Sequence, residues 1–230
     1  IAFTFPGQGS QAVGMGKSLA DTYASARAVF DEVDAALGQK LFALMRDGPE
    51  SELTLTVNAQ PALMAVSMAV VAVLKADHGI AVAETAKFVA GHSLGEYSAL
   101  AAAGTFSLAD TARLLRVRGL AMQSATPVGV GAMAAILGLD FADVASIALE
   151  AAQDDVCQAA NDNSSGQVVI SGHKSAVDRA CEIAKAKGAK RAILLPVSAP
   201  FHCALMKPAA DAMSEALLSV KMNTPSVPVI

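Results

Sequence analysis

Ser93 stands between two spaced glycines in Gly91-His92-Ser93-Leu94-Gly95, a GxSxG spacing that gives a serine hydroxyl the setting of a nucleophile. Lys87-Phe88-Val89-Ala90 before it can form a strand, and Glu96 to Ala103 after it suits a helix that Gly104 would end. A strand turning at once into a helix forces the serine into a strained backbone, and the glycines let the neighbouring chain pass close by. The hydroxyl is then presented over a helix N-terminus, ready to take up an acyl group. GxSxG also arises by chance, and the competing reading makes Ser93 an N-cap and the glycines a turn.

A serine hydroxyl is a weak nucleophile and needs a base, usually histidine. His78 precedes a glycine at a helix end and reads as a C-terminal cap, His173 follows Gly172 in a turn, and His92 adjoins Ser93 and would point elsewhere. His202 remains, in the rigid Pro-containing loop Ser198-Ala199-Pro200-Phe201-His202. Spacing alone leaves it evenly balanced between a catalytic base and an ordinary histidine. Acyl transfer also needs backbone N–H donors for the oxyanion. Leu94, the residue after the nucleophile, supplies one, and Gly7-Gln8-Gly9 at a neighbouring strand end is small and flexible enough to offer the Gln8 amide. Cys203 is a rival nucleophile beside His202, but adjacent side chains diverge, so it reads as a packing thiol.

Arg118 is the second informative residue. A helix drawn from Leu108 puts it between Leu114 and Met122, on an apolar face, whereas Arg113 and Arg116 project from the other side and read as solvated. Burying a guanidinium is costly without an anion, so Arg118 should meet a carboxylate, either from the protein or from a ligand. Its planar fork suits two-point contact with such a group.

The elements that must position these residues alternate. Ile1 to Phe5 reads as a buried strand breaking into Pro6-Gly7-Gln8-Gly9-Ser10-Gln11, which lacks the Gly-Lys-Ser/Thr of a P-loop and carries Ala12 where GxGxxG needs its third glycine. Helical patterns follow at Ser18 to Leu37, at Pro61 to Leu74 (an apolar block started by Pro61 and too short to span a bilayer), and at Ser107 to Ser124. This alternation predicts an α/β fold, a mainly parallel sheet covered by helices. From about Gly131 the order becomes strand (Ala132 to Leu139), helix (Phe141 to Ala152), two strands around Asn161 to Gly166, helix (Ser175 to Lys187) and strand (Ala192 to Val197). That β-α-β-β-α-β order is the ferredoxin-like unit. Residues 129–198 are thus expected to form an inserted subdomain, and 1–128 with 199–230 a hydrolase-like domain ending in a helix from Ala204 to Val220. Pro228-Val229-Ile230 looks like the opening of another strand, so the chain reads as cut short.

Composition bounds the rest. The 230 residues are 53% hydrophobic, enough for one sizeable core or for a large domain with a small one inserted. A net charge of −4, no basic run and only 4% aromatics argue against a nucleic-acid partner. Cys157, Cys181 and Cys203 are widely spaced, with no CxxC and no HxxxH, which points to reduced thiols and away from a metal. No N-terminal targeting pattern is visible, although a chain beginning at Ile1 leaves room for a short trimmed segment; the cytoplasm is the expected location.

In combination, Phe5-Pro6-Gly7-Gln8-Gly9-Ser10-Gln11, Gln60-Pro61-Ala62-Leu63, Gly91 to Tyr97, Arg118, Asn161, Gly166 to Gly172 and Phe201-His202 resemble the malonyl-CoA:acyl carrier protein transacylase family, over nearly the whole chain. The resemblance implies that Ser93 is acylated, His202 is the base, Gln8 and Leu94 give the oxyanion amides, and Arg118 grips the free carboxylate of malonyl. It also implies that Gln60 and Asn161 line the site and that Phe201 marks the malonyl-selective form. The implied reaction is ping-pong, from malonyl-CoA to the phosphopantetheine thiol of acyl carrier protein, by a monomer holding no permanent cofactor and needing neither membrane nor nucleic acid. Family members continue past Ile230 into a tail whose Gln or Asn carbonyl orients the histidine, and no residue here can be assigned that role. The rival readings are a serine esterase or thioesterase with an α/β-hydrolase elbow, which would not need Arg118 on an apolar face, and an acyltransferase or carrier-binding domain excised from a multidomain synthase. A patatin-like lipase would need Asp-Gly after the serine, and the one Asp-Gly, Asp47-Gly48, precedes it. Lys185, Lys187, Lys190 and Arg191 form either a basic edge for an acidic carrier or ordinary solvated helix ends.

Overall fold

Two short apolar segments pair in parallel, β1 (Ala2–Phe5) with β2 (Phe88–Gly91), in a register running from Ala2 opposite Phe88 to Phe5 opposite Gly91. Val229 adds a parallel bridge to Val89 on the far side of β2. The computed structural model describes residues 1–197 and 199–230; Ser198, first residue of the loop before His202, lies outside them. The chain divides into two compact units, residues 1–120 with 213–230, and residues 121–212.

In the first unit, β1 leads through the glycine loop into α1 (Lys17–Thr22), α2 (Ala24–Leu37), α3 (Leu41–Asp47), α4 (Glu50–Thr54), α5 (Thr56–His78) and α6 (Val82–Thr85), and β2 is followed by α7 (Leu94–Ala102) and α8 (Leu108–Ser124). The single helix expected over 18–37 is broken at Tyr23, whose backbone is extended (φ −121°, ψ 121°). The break re-aims the chain so that Ala20 and the stripe Ala26, Val29, Phe30 and Val33 both reach one core.

That core surrounds α5, and here the expectation needs correction. The helix does not start at Pro61 but at Thr56, and it runs for 23 residues. Pro61 withholds one backbone hydrogen bond inside the helix, and burial of Ala59, Ala62, Leu63, Met64, Ala65 and Ala69 outweighs the loss. The full helix, unlike the shorter apolar block, is long and apolar enough to cross a bilayer, yet 56% of its apolar window is buried inside the protein. It is a core helix, covered most fully over residues 56–65, where its apolar residues run nearly all round.

The second unit contains β3 (Gly131–Leu137), α9 (Phe141–Ala152), β4 (Cys157–Ser164), β5 (Gln167–His173), α10 (Lys174–Ala186) and β6 (Arg191–Leu194), then a 3₁₀ turn at Ala204–Met206 that opens α11 (Lys207–Leu218), whose residues from Met213 onward count with the first unit. The strands pair in the order β4-β5-β3-β6, every neighbour antiparallel. Alternate residues of β3 face opposite ways: Ala134 and Ile136 pack with α9 and α10, while Met133 and Ala135 pack with Val169, Phe201 and Met206. Both faces are covered, so β3 reads as a continuous apolar run. Lys185 pairs with Glu182 at 3.1 Å and Lys187 with Glu150 at 2.7 Å, so half of the basic edge is neutralised by acids of the same unit.

Candidate active site

The chain turns from β2 into α7 at Ser93, which takes φ 55° and ψ −109°, a region that a residue with a Cβ seldom occupies. The flanking glycines make the turn possible. A Cβ on Gly91 would lie 2.0 Å from the Gly95 carbonyl carbon, and one on Gly95 would lie 2.3 Å from the Phe5 carbonyl oxygen. The elbow is therefore pressed against the end of β1, where the His92 N–H donates to the Phe5 carbonyl at 3.1 Å. This contact brings the loop that carries Gln8 beside the elbow that carries Ser93 and Leu94. Among the described residues neither the Gln8 nor the Leu94 backbone N–H has an acceptor, leaving two donors available for a developing oxyanion.

α8 delivers Arg118 to the same place. Gly119 permits the approach, since a Cβ there would stand 2.6 Å from Val57 Cα and 2.9 Å from the Thr56 carbonyl oxygen on α5. Arg118 Nη2 donates to Ser93 Oγ at 3.0 Å and Nη1 to Gln60 Oε1 at 2.7 Å. Its guanidinium carbon lies 5.7 Å from the centre of the Tyr97 ring, within range of a cation–π contact. None of the ion pairs among the described residues includes Arg118. Burial pulls its pKa below the usual arginine value, with the Tyr97 and Glu96 side chains opposing; burial likewise raises the Tyr97 phenol. A cation whose hydrogen bonds go to the neutral Gln60 and Ser93 is a ready seat for a carboxylate.

Arg116 corrects the reading of α8. Instead of being solvated it is half-buried, donating to Asn58 Oδ1 at 3.1 Å and to Gln39 Oε1. The close contact at Gly119 lets guanidinium groups on both flanks of α8 reach α5, so a residue counted onto the outer face finds partners. Arg113 is exposed and pairs with Asp110 at 3.0 Å.

Two participants escaped the sequence reading of roles. Tyr97 lies four residues after Ser93, one turn along α7, and Thr56 lies four before Gln60 on α5; those spacings were the available signal. Thr56 Oγ donates to Gln8 Oε1 at 2.9 Å and accepts from Gln60 Nε2 at 2.9 Å.

The remaining candidates belong to the second unit. His202 is exposed and takes φ 59°, a second strained backbone on a residue with a Cβ. Phe201 before it is 8% exposed and packs on the sheet face of Met133, Ala135 and Val169. Asn161 is half-buried on β4, opposite Val169 and next to a register shift. Gln158, also on β4 and unmarked by any sequence signal, accepts from the Ala204 N–H at 2.7 Å and so ties down the turn after His202. Cys203 Sγ lies 3.2 Å from the Pro200 carbonyl oxygen. Of the other histidines, His78 ends α5 edge-on to Tyr23, and His173 is not in a turn but closes β5, where its Nδ1 accepts from the Val156 N–H at 2.9 Å. Among the described residues no group of three or more His, Cys, Asp or Glu is gathered closely enough to hold a metal ion.

The chain is similar to known acyltransferases. The acyl transferase domain family matches residues 2–230. The malonyl CoA-acyl carrier protein transacylase of Escherichia coli K12 is 52% identical over 230 residues, all of this chain and 73% of that protein. The crystal structure of acyl-carrier-protein-S-malonyltransferase from Bartonella henselae matches with a TM-score of 0.97 at 62% identity, over all of this chain and 73% of that chain. A structure of a type II PKS acyl-carrier protein in complex with its malonyl-transacylase matches with a TM-score of 0.95 at 46% identity, again over all of this chain and 73% of that chain.

Proposed function

The chain belongs to the acyl transferase family, among the malonyl CoA-acyl carrier protein transacylases, and from that premise we propose that it carries malonyl from coenzyme A to the carrier's phosphopantetheine thiol through an ester on Ser93. The observation that carries this reading is the Arg118 guanidinium, bonded to Ser93 Oγ and Gln60 Oε1, with Glu96 acting on it electrostatically but no protein carboxylate in ion-pair contact with it among the described residues. Malonyl differs from simple acyl groups by a free carboxylate one methylene beyond the carbonyl. Attached to Ser93, that carboxylate reaches the guanidinium already resting on the serine oxygen. An acetyl group has nothing to offer it, and a buried cation left unpaired rejects the wrong substrate.

In the proposed reaction Ser93 Oγ attacks the thioester carbonyl while His202 takes its proton. The oxyanion is held by the Gln8 and Leu94 N–H groups, the C–S bond breaks, and His202 returns the proton to the departing CoA sulfur. The carrier thiol then attacks the malonyl ester and gives its proton to His202, which passes it to Ser93 Oγ as the C–O bond breaks. Gln60 seats Arg118, and in this reading Asn161 serves the site and Phe201 marks the malonyl-selective form. No cofactor stays bound, since both thioesters enter as substrates. The β-α-β-β-α-β order with strand arrangement β4-β5-β3-β6 supports a ferredoxin-like fold for the second unit, and the elbow between β2 and α7 a hydrolase-like one for the first. Residues 129–198 form the inserted subdomain in this reading, and the enzyme works as a cytoplasmic monomer supplying chain-extender units to fatty acid synthesis.

Intact mass after incubation with malonyl-CoA or acetyl-CoA, without carrier, tests the proposal. A malonyl adduct is expected on the wild type, absent in Ser93→Ala, reduced in Arg118→Ala, and not matched by an acetyl adduct. An adduct that survives Ser93→Ala, or acetyl and malonyl adducts of equal yield, would overturn it.

A further inference from the structure

We infer that Thr56 is a positioning residue for acyl transfer, its hydroxyl tying the oxyanion loop at Gln8 to the seat of Arg118. The inference rests on the function proposed above. Four side chains form one hydrogen-bonded chain whose direction is dictated by chemistry. A guanidinium only donates, so the Gln60 oxygen faces Arg118 at 2.7 Å and its NH₂ group must face away. That NH₂ donates to Thr56 Oγ at 2.9 Å, leaving the hydroxyl its single proton, which goes to Gln8 Oε1 at 2.9 Å. Every link points from the cation toward the loop.

The position of Thr56 makes the tie costly to break. It is the first residue of α5, one past the N-cap position held by Leu55, so its hydroxyl is not the helix cap and is committed to Gln8 instead. Thr56 is fully buried and Gln60 is 1% exposed, so water cannot replace a lost partner, whereas Gln8 sits on an exposed loop and reaches the buried network through its side chain. The side chain of Gln8 is thus anchored while its N–H is left available for the oxyanion. The residue that recognises the substrate's carboxylate and the loop that stabilises its carbonyl oxygen share one rigid connection, 48 residues apart in sequence at the Thr56–Gln8 link.

Thr56→Val keeps the shape and removes the hydroxyl; Thr56→Ser keeps the hydroxyl; Gln8→Ala cuts the tie from the loop side and keeps the backbone N–H. Single-turnover acylation by malonyl-CoA, read by quenched-flow mass measurement, is expected to slow roughly 10- to 100-fold in Thr56→Val. The KM for malonyl-CoA should change by less than about threefold, and Thr56→Ser should restore the rate to within about threefold of the wild type. Gln8→Ala should slow acylation by no more than Thr56→Val, which also takes the acceptor from Gln60, and the double variant should be no slower than Thr56→Val, because both single changes break the same Thr56–Gln8 link. Acylation of Thr56→Val at the wild-type rate, additive losses in the double variant, or failure of serine to rescue would each overturn the inference. Should Thr56→Val not fold, Gln8→Ala alone decides: a wild-type rate sinks the tie and a slowed rate at unchanged KM upholds it. A wild type that forms no Ser93 adduct would instead defeat the underlying function, so the two failures are distinguishable.

Discussion

Arg118 Nη2 donates to Ser93 Oγ at 3.0 Å, so recognition of the substrate's anion and attack on its carbonyl are organised from the same serine oxygen. Arg118→Lys keeps the charge but not the fork, and a single ammonium cannot serve Ser93, Gln60 and a carboxylate together. Its kcat/KM for malonyl-CoA should fall roughly a hundredfold, about 3 kcal/mol of lost transition-state stabilisation. Steady-state kinetics check this, and a lysine variant within threefold of wild type would show that charge alone suffices.

Gly119→Ala should loosen the contact that seats Arg118. Its Cβ would meet backbone, Val57 Cα at 2.6 Å, so α8 must move rather than a side chain rotate. A melting temperature lowered in line with about 1–3 kcal/mol of overpacking is expected, together with a smaller preference for malonyl-CoA over acetyl-CoA. Unchanged melting would mean that α8 tolerates the extra carbon.

Arg116→Met separates the two guanidinium groups. Removing Arg116 takes donors from Asn58, 6% exposed, and from Gln39, at a cost of about 1–2 kcal/mol in stability. Calorimetry should record that loss while the malonyl-to-acetyl ratio in the adduct assay stays at its wild-type value. A shifted ratio would assign Arg116 to substrate recognition as well.

The thiols should react in a fixed order, and Cys157 should make stability depend on pH. Burial pushes Cys157 up to about 11 from 9.0, so between those values the unfolded chain releases a proton that the folded chain keeps. This contribution to stability is intact below pH 9 and is lost as pH rises from 9 toward 11, which denaturant titrations of wild type and Cys157→Ala would reveal as a difference in slope. Cys157 and Cys181 are 5% and 7% exposed and Cys203 is half-buried, so a maleimide should label Cys203 first at pH 8. Labelling of Cys157 ahead of Cys203, read by peptide mapping, would contradict the packing of the second unit.

Local sequence determined a good deal of this protein. The Gly91-His92-Ser93-Leu94-Gly95 elbow was legible because its glycine spacing is local, Gly91 meeting Gly95 across the turn, although Gly95 also makes room for the end of β1. Arg118 was legible on an apolar face because helical periodicity is a local property, and so were α9, expected at Phe141 to Ala152 and found there, and the strand-helix order of the second unit. Tertiary structure decided what periodicity cannot express. Pro61 marks a helix start in isolation, yet burial of α5 carries the helix through it; Arg116 counts onto the outer face, yet the approach at Gly119 brings α5 within its reach. The link from Thr56 to Gln8 joins residues 48 apart and depends on a hydroxyl losing every partner except two. Burial far along the chain imposes that condition, and no pattern in the neighbouring residues encodes it.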